Sequence, residues 1–200
     1  MVAIIDYGMG NVASVQKALR YLKIDSKVTS NFEEINDSKY IILPGVGSFR
    51  QAMENLEKRN LVSFLKKKVA EGKPFLGICL GMQLLAERGH EDGLTAGLGF
   101  IEGDVVRIPE SDLPVPHIGW NNITVNIPQY FDNLKDNNFY FVHSYFFNAS
   151  NIEDVSATVN YGKDLVAVVQ KNNVFGTQFH PEKSQKSGLQ VLKNFIDAYA

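Results

Sequence analysis

PFLGICLGMQLL, residues 74–85, is the stretch of sequence that decides the fold. PFLGI is an apolar run typical of a buried strand, and the residues from Leu80 to Arg88 predict a helix. Cys79, the only cysteine of the chain, stands at the junction between Gly77 and Gly81. A nucleophile presented at a sharp strand-to-helix turn has this spacing, because side chains two positions away would collide with the turn. The alternative is a small buried hydrophobic residue, the usual role of a lone cysteine.

Apolar strand runs and helical patterns alternate in the half of the chain that surrounds this junction. The predicted strands cover residues 2–6, 26–29, 40–43 and 74–78. The predicted helices cover residues 12–22, 49–58, 61–71 and 80–88, the first capped by Asn11 and the second opened by Ser48. Uninterrupted apolar strands that alternate with helices indicate an α/β fold with a mainly parallel central sheet and helices on both faces.

The second half of the chain has a different pattern, which predicts additional antiparallel strands. These strands cover residues 105–108, 123–127, 139–147, 155–160, 165–170 and 174–179. Asn172-Asn173 suits a hairpin turn between the last two, and Trp120 is placed in a Gly-Trp-Asn-Asn turn. Residues 188–199 predict a closing helix. Because neither a repeat nor a linker interrupts the pattern, residues 1–200 are expected to form one domain.

Composition excludes several classes of function. The chain is 44% hydrophobic and 21% charged, with a net charge of −2 and no basic stripe for nucleic acid. No apolar run reaches about 18 residues, and the start MVAIIDYGMGN lacks the features of a signal peptide. A single cysteine excludes an intramolecular disulfide and a cysteine-rich metal cluster. We therefore expect a cytoplasmic protein without metal, cofactor, nucleic-acid partner or membrane partner.

His180 is the candidate base for Cys79. It follows the apolar run VFGTQF and precedes Pro181-Glu182. Because residues i and i+2 of an extended segment point to the same side, His180 and Glu182 are expected to face one cleft. A carboxylate beside an imidazole sets its tautomer and favours the charged form, which would hold Cys79 as a thiolate. Taken alone, the His-Pro-Glu tripeptide also fits a surface turn.

Two backbone elements are candidates for holding negative charge that develops near Cys79. One is the N–H of Leu80, which opens the predicted helix with its positive end toward the sulfur. The other is the PGVG loop at 44–47, which follows a predicted strand at the carboxyl edge of the sheet. Glycines there let the N–H groups of Gly45 and Val46 turn toward a ligand. A plain strand-to-helix turn is the alternative for this loop.

A nucleotide-binding oxidoreductase and a non-enzymatic interaction module are the rival classes. Residues 8–13 fit the pattern G-x-G-x-x-G/A after a strand. The acidic residue expected after the second strand is missing, since that segment reads KVTSN (27–31). Gly72-Lys73 and Gly162-Lys163 lack the Ser or Thr of a phosphate-binding loop. A complete set of cysteine, histidine and glutamate argues against a module without chemistry.

The motifs resemble those of the class I (triad) glutamine amidotransferases, which share a flavodoxin-like fold. GICLGMQLL (77–85), the PGVG loop and QFHPEKS (178–184) carry the resemblance over nearly the whole chain. PHIGWNN (116–122) and FYFVHSY (139–145) make it more specific, because they are similar to motifs in the glutaminase subunits of imidazole glycerol phosphate synthases. The chain matches the family at every triad position.

The resemblance implies a role for each matching residue. Cys79, His180 and Glu182 would form the catalytic triad, and the Leu80, Gly45 and Val46 backbone would form the oxyanion site. The implied glutamine-binding residues are Gly47, Gln83, His143, Ser144 and Tyr145. The implied partner interface near the ammonia exit comprises Asn11, Trp120, Tyr140 and Lys183. A polar helix face for Gln83 and ordinary strand packing for residues 143–145 are the alternatives.

The resemblance also implies a partner. In the family, a (β/α)8 cyclase subunit takes the ammonia released from L-glutamine and forms a heterodimer with the glutaminase. The cyclase products are imidazole glycerol phosphate and an aminoimidazole carboxamide ribotide, in histidine biosynthesis. The triad alone also fits the glutaminase subunit of another ammonia-channelling synthase, such as that of pyridoxal phosphate, or a γ-glutamyl or cysteine peptidase on the same scaffold.

Overall fold

The computed structural model describes residues 1–200. The strands are β1 (Val2–Ile5), β2 (Ser26–Thr29), β3 (Tyr40–Gly45), β4 (Phe75–Cys79), β5 (Arg88–Gly89), β6 (Thr95–Ala96), β7 (Gly103–Arg107), β8 (His117–Val125), β9 (Asn138–His143), β10 (Tyr145–Ala149), β11 (Val155–Asn160), β12 (Asp164–Lys171) and β13 (Val174–Thr177). The helices are α1 (Val12–Tyr21), α2 (Phe32–Asp37), α3 (Phe49–Lys58), α4 (Leu61–Ala70), α5 (Leu80–Gln83) and α6 (Gln185–Asp197). Short 3-10 turns occur at Pro128–Tyr130, Ile152–Asp154 and Pro181–Lys183.

A central sheet of nine strands organises the molecule, in the order β2-β1-β3-β4-β13-β12-β11-β8-β9. The strands from β2 to β13 run parallel to one another. From β13 to β9 every pair is antiparallel. A second sheet holds β10-β7-β5-β6. The α/β class, with a mainly parallel sheet and extra antiparallel strands from the second half of the chain, is therefore confirmed.

The central strands are buried on both faces. In β1, Val2 and Ile4 belong to the hydrophobic cluster that packs on α1 and α6, whereas Ala3 and Ile5 belong to the cluster on α3 and α4. Successive side chains of a strand point to opposite faces, so an uninterrupted apolar run supplies both clusters. This explains why the first strands of the sequence are apolar throughout rather than alternating.

Three neighbouring strands bring the predicted site residues to one edge of the sheet. Gly45 at the end of β3 lies opposite Cys79 at the end of β4. On the other side, Thr177 at the end of β13 lies opposite Ile78, and His180 follows shortly after. Because parallel strands end at the same edge, segments that are far apart in the sequence meet there.

The helix after Cys79 is shorter than predicted, because α5 ends at Gln83 instead of Arg88. The carbonyl groups that would continue the helix accept hydrogen bonds from a distant loop. The loop bonds are Gly97 N–H to Glu87, Leu98 N–H to Leu84, and Gly99 N–H to Ala86. With these carbonyls engaged, the chain turns out of the helix and enters β5.

The predicted strand over 139–147 is in fact two strands in different sheets. β9 pairs with β8 in the central sheet, whereas β10 pairs with β7 in the second sheet. The chain changes sheets at Ser144, whose carbonyl accepts a 2.9 Å hydrogen bond from the Ile108 N–H. An aromatic and apolar run does not reveal which partner each half will pair with, so the prediction of one strand was wrong.

Trp120 lies in a strand, and the predicted turn there was wrong. β8 begins at His117, well before the predicted start at residue 123, and Trp120 is paired with Tyr140 of β9. The cross-strand pairing supplies the backbone hydrogen bonds that hold a polar Gly-Trp-Asn-Asn segment extended.

Among the other local predictions, the bounds of α3 and the hairpin after β12 are confirmed, whereas the helices α2 and α6 differ from the prediction. α3 has the predicted bounds, and the Ser48 side chain caps it by accepting from the Gln51 N–H. The Asn172-Asn173 hairpin joins β12 to β13. α6 begins at Gln185, slightly ahead of the prediction, and α2 was not predicted. The structure contains no helix whose length and apolar character would let it cross a membrane.

Candidate active site

Cys79 occupies a strained turn between β4 and α5. Its backbone has φ 55° and ψ −112°, a combination that residues other than glycine rarely adopt. The flanking glycines are needed for steric reasons, as predicted. A Cβ at Gly77 would lie 2.5 Å from the Gly81 carbonyl oxygen, and a Cβ at Gly81 would overlap the Leu43 carbonyl oxygen. The turn therefore presents the cysteine side chain at the edge of the sheet with only 6% of the residue exposed.

His180 and Glu182 form a buried pair. The His180 Nδ1 lies 2.8 Å from the Glu182 Oε1, and both side chains are almost fully buried. An extended segment was predicted for this contact, but Glu182 lies in the 3-10 turn Pro181–Lys183. A tight turn brings residues two apart as close together as an extended strand face would. The predicted proximity of His180 and Glu182 holds, but its predicted geometry was wrong.

The imidazole of His180 is in an environment that favours its charged form. Burial disfavours the imidazolium, but the neighbouring Cys79 sulfur and the Glu182 carboxylate outweigh that effect and raise the pKa of His180 to about 9. The Nε2 atom is buried without a hydrogen-bond partner within the chain. One ring nitrogen is thus held by the carboxylate, the other has no partner within the chain, and His180 and Cys79 line the same cavity.

The backbone around His180 is anchored to β9. The His180 N–H donates to the Tyr140 carbonyl at 3.0 Å, and the Tyr140 N–H donates to the Ser184 Oγ at 3.0 Å. The Ser184 hydroxyl in turn donates to the His180 carbonyl at 2.7 Å. Three mutually linked hydrogen bonds therefore set the position of the histidine before any ligand binds.

The predicted oxyanion elements lie beside Cys79. Leu80 is the first residue of α5, so its N–H has no acceptor within the helix. The Val46 N–H makes no hydrogen bond within the chain, and Val46 and Gly47 both line the cavity. Gly45 is tightly enclosed, since a Cβ there would lie 2.5 Å from the Tyr7 Oη and 2.9 Å from the Leu80 Cβ. The N–H groups of Leu80 and Val46 are therefore left without a partner near the sulfur, and Gly45 lies opposite Cys79 at the end of β3.

A cavity of about 320 Å³ contains the cysteine and the histidine. This volume is at the small end of the range for ligand pockets, about 300 to 1,000 Å³. The residues that line it are Val46, Gly47, Cys79, Leu80, Gln83, Glu91, Pro116, Val142, His143, Ser144, Tyr145 and His180. All five predicted glutamine-binding residues are among them. No three His, Cys, Asp or Glu side chains are grouped to hold a metal ion.

Two glutamines connect one wall of the cavity to the sulfur. The Gln83 Nε2 donates to the Tyr145 carbonyl at 2.9 Å and to the Gln178 Oε1 at 3.1 Å. The Gln178 Nε2 lies 3.9 Å from the Cys79 Sγ, within hydrogen-bond reach of sulfur. Both protons of the Gln83 amide are therefore engaged within the chain, and its Oε1 is the atom left to accept from a ligand.

His143 lines the cavity, but its ring nitrogens face other protein groups. Nδ1 is 2.9 Å from the Tyr145 carbonyl oxygen, and Nε2 is 3.0 Å from the Nδ1 of His117. Burial lowers the pKa of His143 to about 4. The contact surface that residues 143–145 offer to a ligand is consequently the backbone and the Ser144 and Tyr145 side chains.

Three of the four predicted interface residues form one exposed cluster. The Trp120 and Tyr140 rings meet edge to face with centroids 6.0 Å apart, and the Lys183 Nζ lies 6.0 Å above the Tyr140 ring. Trp120 is 45% exposed. Asn11 caps α1 by accepting from the Ser14 N–H, and α1 packs on the turn that holds Lys183.

Sequence reasoning missed Gln178, Tyr7 and His117. Gln178 could have been found, because it stands two residues before His180 at the end of the predicted strand 174–179, and residues i and i+2 of a strand point to the same side. Tyr7 has a buried hydroxyl without a hydrogen-bond partner. The pKa of Tyr7 is raised, mainly by burial and to a lesser extent by the nearby Cys79. His117 is buried behind the cavity wall. Neither of the last two has a local sequence signal, since both depend on segments that meet only in the fold.

The fold and the site together define a class of protein. A parallel α/β sheet that presents a cysteine at a strained strand-to-helix turn, beside a buried histidine–glutamate pair, is the arrangement of a cysteine triad hydrolase scaffold. The family model described as glutamine amidotransferase class-I matches residues 3–198. The chain belongs to the class-I glutamine amidotransferase family.

Curated relatives narrow this assignment. The imidazole glycerol phosphate synthase subunit HisH of Caldanaerobacter subterraneus subsp. tengcongensis is 47% identical over 98% of this chain and 97% of its own length. Subunit HisH 1 of Campylobacter jejuni is also 47% identical, over 98% of this chain and 99% of its own. The resemblance predicted from the motifs, both to the class I glutamine amidotransferases and to a subunit of the imidazole glycerol phosphate synthases, is confirmed.

A solved structure supports the same fold. The chain described as "Crystal structure of glutamine amidotransferase" superimposes with a TM-score of 0.77, over 100% of this chain and 99% of that chain. The sequences are 22% identical, so the likeness concerns the fold alone. The predicted amidotransferase architecture is therefore confirmed by structure as well as by sequence.

Proposed function

We propose that this chain is the glutaminase subunit of an imidazole glycerol phosphate synthase and hydrolyses L-glutamine to glutamate and ammonia. One observation carries the proposal: Cys79, in its strained turn, shares a cavity with His180, which Glu182 holds at 2.8 Å. The names of the relatives support the particular synthase. Residues 1–200 then act as one amidotransferase domain in the cytoplasm.

The first half of the reaction forms a thioester. The Cys79 thiolate attacks the side-chain amide carbon of glutamine, and a carbon–sulfur bond forms while the carbonyl oxygen takes up negative charge. The N–H groups of Leu80 and of Gly45–Val46 hold that oxyanion. Loss of one such donor costs about two to three orders of magnitude in rate. His180 then gives its proton to the nitrogen, the carbon–nitrogen bond breaks, and ammonia leaves.

The second half of the reaction releases glutamate. Neutral His180 takes a proton from water, which attacks the γ-glutamyl thioester and displaces the Cys79 sulfur. Glu182 keeps the imidazole oriented throughout, because it accepts from Nδ1 and leaves Nε2 toward the reacting atoms. The raised pKa of His180 suits the charged state that the first half requires.

Glutamine binds along the wall made by residues 143–145. Gly47 and the backbone of this wall contact the substrate, together with the Ser144 and Tyr145 side chains, which are half-buried. The free Oε1 of Gln83 accepts from a donor on the substrate. His143 contributes through its backbone position, because both of its ring nitrogens face protein groups.

Ammonia passes directly to a (β/α)8 cyclase subunit in a heterodimer. Free ammonia would be protonated in water and lost as a nucleophile. Asn11, Trp120, Tyr140 and Lys183 contact this partner near the exit, where three of them already form an exposed cluster. Alone, the chain hydrolyses glutamine slowly, and the liganded cyclase accelerates it, for example by a shift of the glycine-rich loop 45–47.

The first experiment measures glutamine hydrolysis by the chain with its cyclase partner. Cys79→Ala is expected to abolish glutamate release, while circular dichroism and partner binding stay unchanged. Turnover near the wild-type rate in that variant would refute the nucleophile. Release of glutamate from γ-glutamyl peptides in preference to free glutamine would favour a peptidase instead.

The second experiment tests the particular synthase. Co-purification with the candidate cyclase should give a one-to-one complex that forms imidazole glycerol phosphate in a glutamine-dependent reaction. Complex formation with a pyridoxal phosphate synthase subunit, and none with the cyclase, would assign the chain to the other ammonia-channelling system.

A further inference from the structure

The side chains of two buried histidines at the cavity wall take no part in the reaction steps above. His117 on β8 and His143 on β9 are paired across the strands, and both are nearly inaccessible to solvent. The His117 Nδ1 lies 3.0 Å from the His143 Nε2. The His117 ring is stacked between Phe141 and Tyr161, with ring centroids 4.9 Å and 4.0 Å away. Packing therefore holds this ring in one orientation.

The Tyr145 carbonyl, which faces His143, determines which ring nitrogens of the pair carry protons. A carbonyl oxygen can only accept, so the His143 Nδ1, 2.9 Å from the Tyr145 carbonyl, must carry a proton. In a neutral imidazole the other nitrogen is then an acceptor, so the His143 Nε2 accepts from the Nδ1–H of His117. The His117 Nε2 is left as an acceptor and faces the Asn121 Nδ2 at 3.5 Å.

The chain of hydrogen bonds continues to the sulfur. The Tyr145 carbonyl that receives the His143 proton also accepts from the Gln83 Nε2. Gln83 donates its second proton to Gln178, whose Nε2 lies within reach of the Cys79 Sγ. One contiguous network thus links β8, next to the exposed Trp120, to the cavity wall and the nucleophile.

Both histidines are in environments that keep them neutral. Burial lowers the pKa of His117 and of His143 to about 4. A proton added to either ring would turn an acceptor nitrogen into a donor and set two N–H groups against each other. The network described above therefore requires neutral rings, which the burial supplies at physiological pH.

We propose that His117 is a positioning residue for the glutamine pocket, acting through His143 on the carbonyl of Tyr145. The inference rests on the proposed function, because it assigns residues 143–145 to the substrate. His117 is the sole proton donor to the His143 Nε2. Without that donor the His143 ring loses one of its two fixed points, and the Tyr145 carbonyl loses a constraint on its position.

The first test is made on the unmodified protein and does not depend on activity. Long-range nitrogen–proton NMR correlations at pH 7 distinguish the two neutral tautomers of each histidine. We expect both His117 and His143 to be neutral with the proton on Nδ1. A proton on Nε2 of either residue, or a charged ring, would overturn the proposal.

The second test separates hydrogen bonding from packing. His117→Phe keeps the stack between Phe141 and Tyr161 but lacks the N–H, whereas His117→Asn supplies an N–H close to the position of Nδ1. The readout is alkylation of Cys79 by a diazoketone analogue of glutamine, which yields a half-saturating concentration and a limiting rate. We expect His117→Phe to raise the half-saturating concentration about tenfold, with the limiting rate changed less than about twofold.

His117→Asn is expected to restore most of that loss, and labelling of either variant by iodoacetamide should match the wild type. Unchanged half-saturation in His117→Phe, or equal loss in both variants, would contradict positioning through the hydrogen bond. If His117→Phe does not fold, the tautomers of the unmodified protein decide. If the wild-type protein is never labelled, the proposed function fails, while the NMR result still judges the network.

Discussion

At the residue scale, the buried contact between Glu182 and His180 determines how the site responds to pH. The carboxylate is 1% exposed and 2.8 Å from Nδ1, so it acts on the imidazolium without much screening by water. Its second oxygen, Oε2, is buried without a partner. The His180 Nδ1 is thus the one group to which the carboxylate is hydrogen-bonded, and this single contact fixes the orientation of the imidazole.

Glu182→Gln should lower the pKa of His180 and change the pH dependence of stability. His180 has a raised pKa in the folded protein, so the stabilisation it brings is complete below its unfolded pKa of about 6.5 and is lost as pH rises through about 9. We expect the wild type to lose more stability than Glu182→Gln between pH 6.5 and 9. Urea unfolding across that range measures this, and equal slopes would contradict it.

Tyr7 illustrates a buried polar group whose cost should be measurable. Its hydroxyl is fully buried, lacks a partner and lies against the backbone of Gly45. Tyr7→Phe removes the hydroxyl and keeps the ring, so we expect the folded state to gain about 1 kcal/mol. Tyr130→Phe is a matched control, because the Tyr130 hydroxyl is bonded to Tyr199 at 2.9 Å and its loss should destabilise. A loss of stability in Tyr7→Phe would show that the hydroxyl has a partner.

At the scale of elements, the junction of β3, β4 and α5 depends on close backbone approach. Gly81 allows the first turn of α5 to lie directly on the Leu43 carbonyl of β3. Gly77 does the same between β4 and the carbonyl of Gly81. These contacts hold the strained backbone of Cys79 in place, since the strand and the helix around it have no room to relax.

Gly81→Ala should therefore be strongly destabilising, by about 3 kcal/mol, because the new Cβ overlaps backbone rather than a flexible side chain. Gly72→Ala is the matched control. Gly72 has φ 86° and nothing near its Cβ position, so alanine there brings backbone strain alone, about 1 kcal/mol. Denaturant unfolding of both variants checks this, and equal losses would mean that the packing at Gly81 is not decisive.

The parts of this architecture that sequence could predict are those with local causes. The apolar runs, the Ser48 cap and the glycines around Cys79 each act within a few residues, and these elements were placed well. The end of α5 could not be predicted, because it is caused by hydrogen bonds that the loop at 97–101 donates to the carbonyls after Gln83. No local sequence pattern announces such bonds. The split at Ser144 likewise depends on which strands are free to pair.

The same distinction applies to the candidate site. Cys79, His180 and Glu182 carry local signals in the elbow and in the tripeptide His-Pro-Glu. His143 was predicted from the motif FYFVHSY as a glutamine-binding residue, but no local signal links it to His117, since only the pairing of β8 with β9 brings the two rings together. His117 was therefore missed, because its place in the site depends on a partner from a distant segment.

At the scale of the whole molecule, the exposed cluster of Trp120, Tyr140 and Lys183 is connected to the active site by a backbone hydrogen bond and by the chain itself. Tyr140 accepts the hydrogen bond of the His180 N–H, and Lys183 follows Glu182 directly. A partner that binds this cluster is therefore one residue away from the triad. This proximity gives the proposed cyclase a short physical route to influence hydrolysis.

Trp120→Ala should weaken binding of the cyclase by at least about 30-fold, as expected for a buried aromatic anchor worth about 2 kcal/mol or more. The free chain should lose little stability, because Trp120 is 45% exposed and its ring meets Tyr140 only edge to face. Tyr21→Ala is the control, since Tyr21 is 75% exposed and ends α1, at the other end of that helix from Asn11. Calorimetric titration with the cyclase measures both. Equal affinities for the two variants would move the interface elsewhere.

The decisive measurement is to trap the covalent intermediate on Cys79. The complex is mixed with glutamine, quenched in acid within a turnover and digested, and the Cys79 peptide is weighed by mass spectrometry. We expect a γ-glutamyl adduct on Cys79 that decays as glutamate appears and is absent from Cys79→Ala. Glutamate release at the full rate with no adduct on Cys79 at any quench time would contradict it.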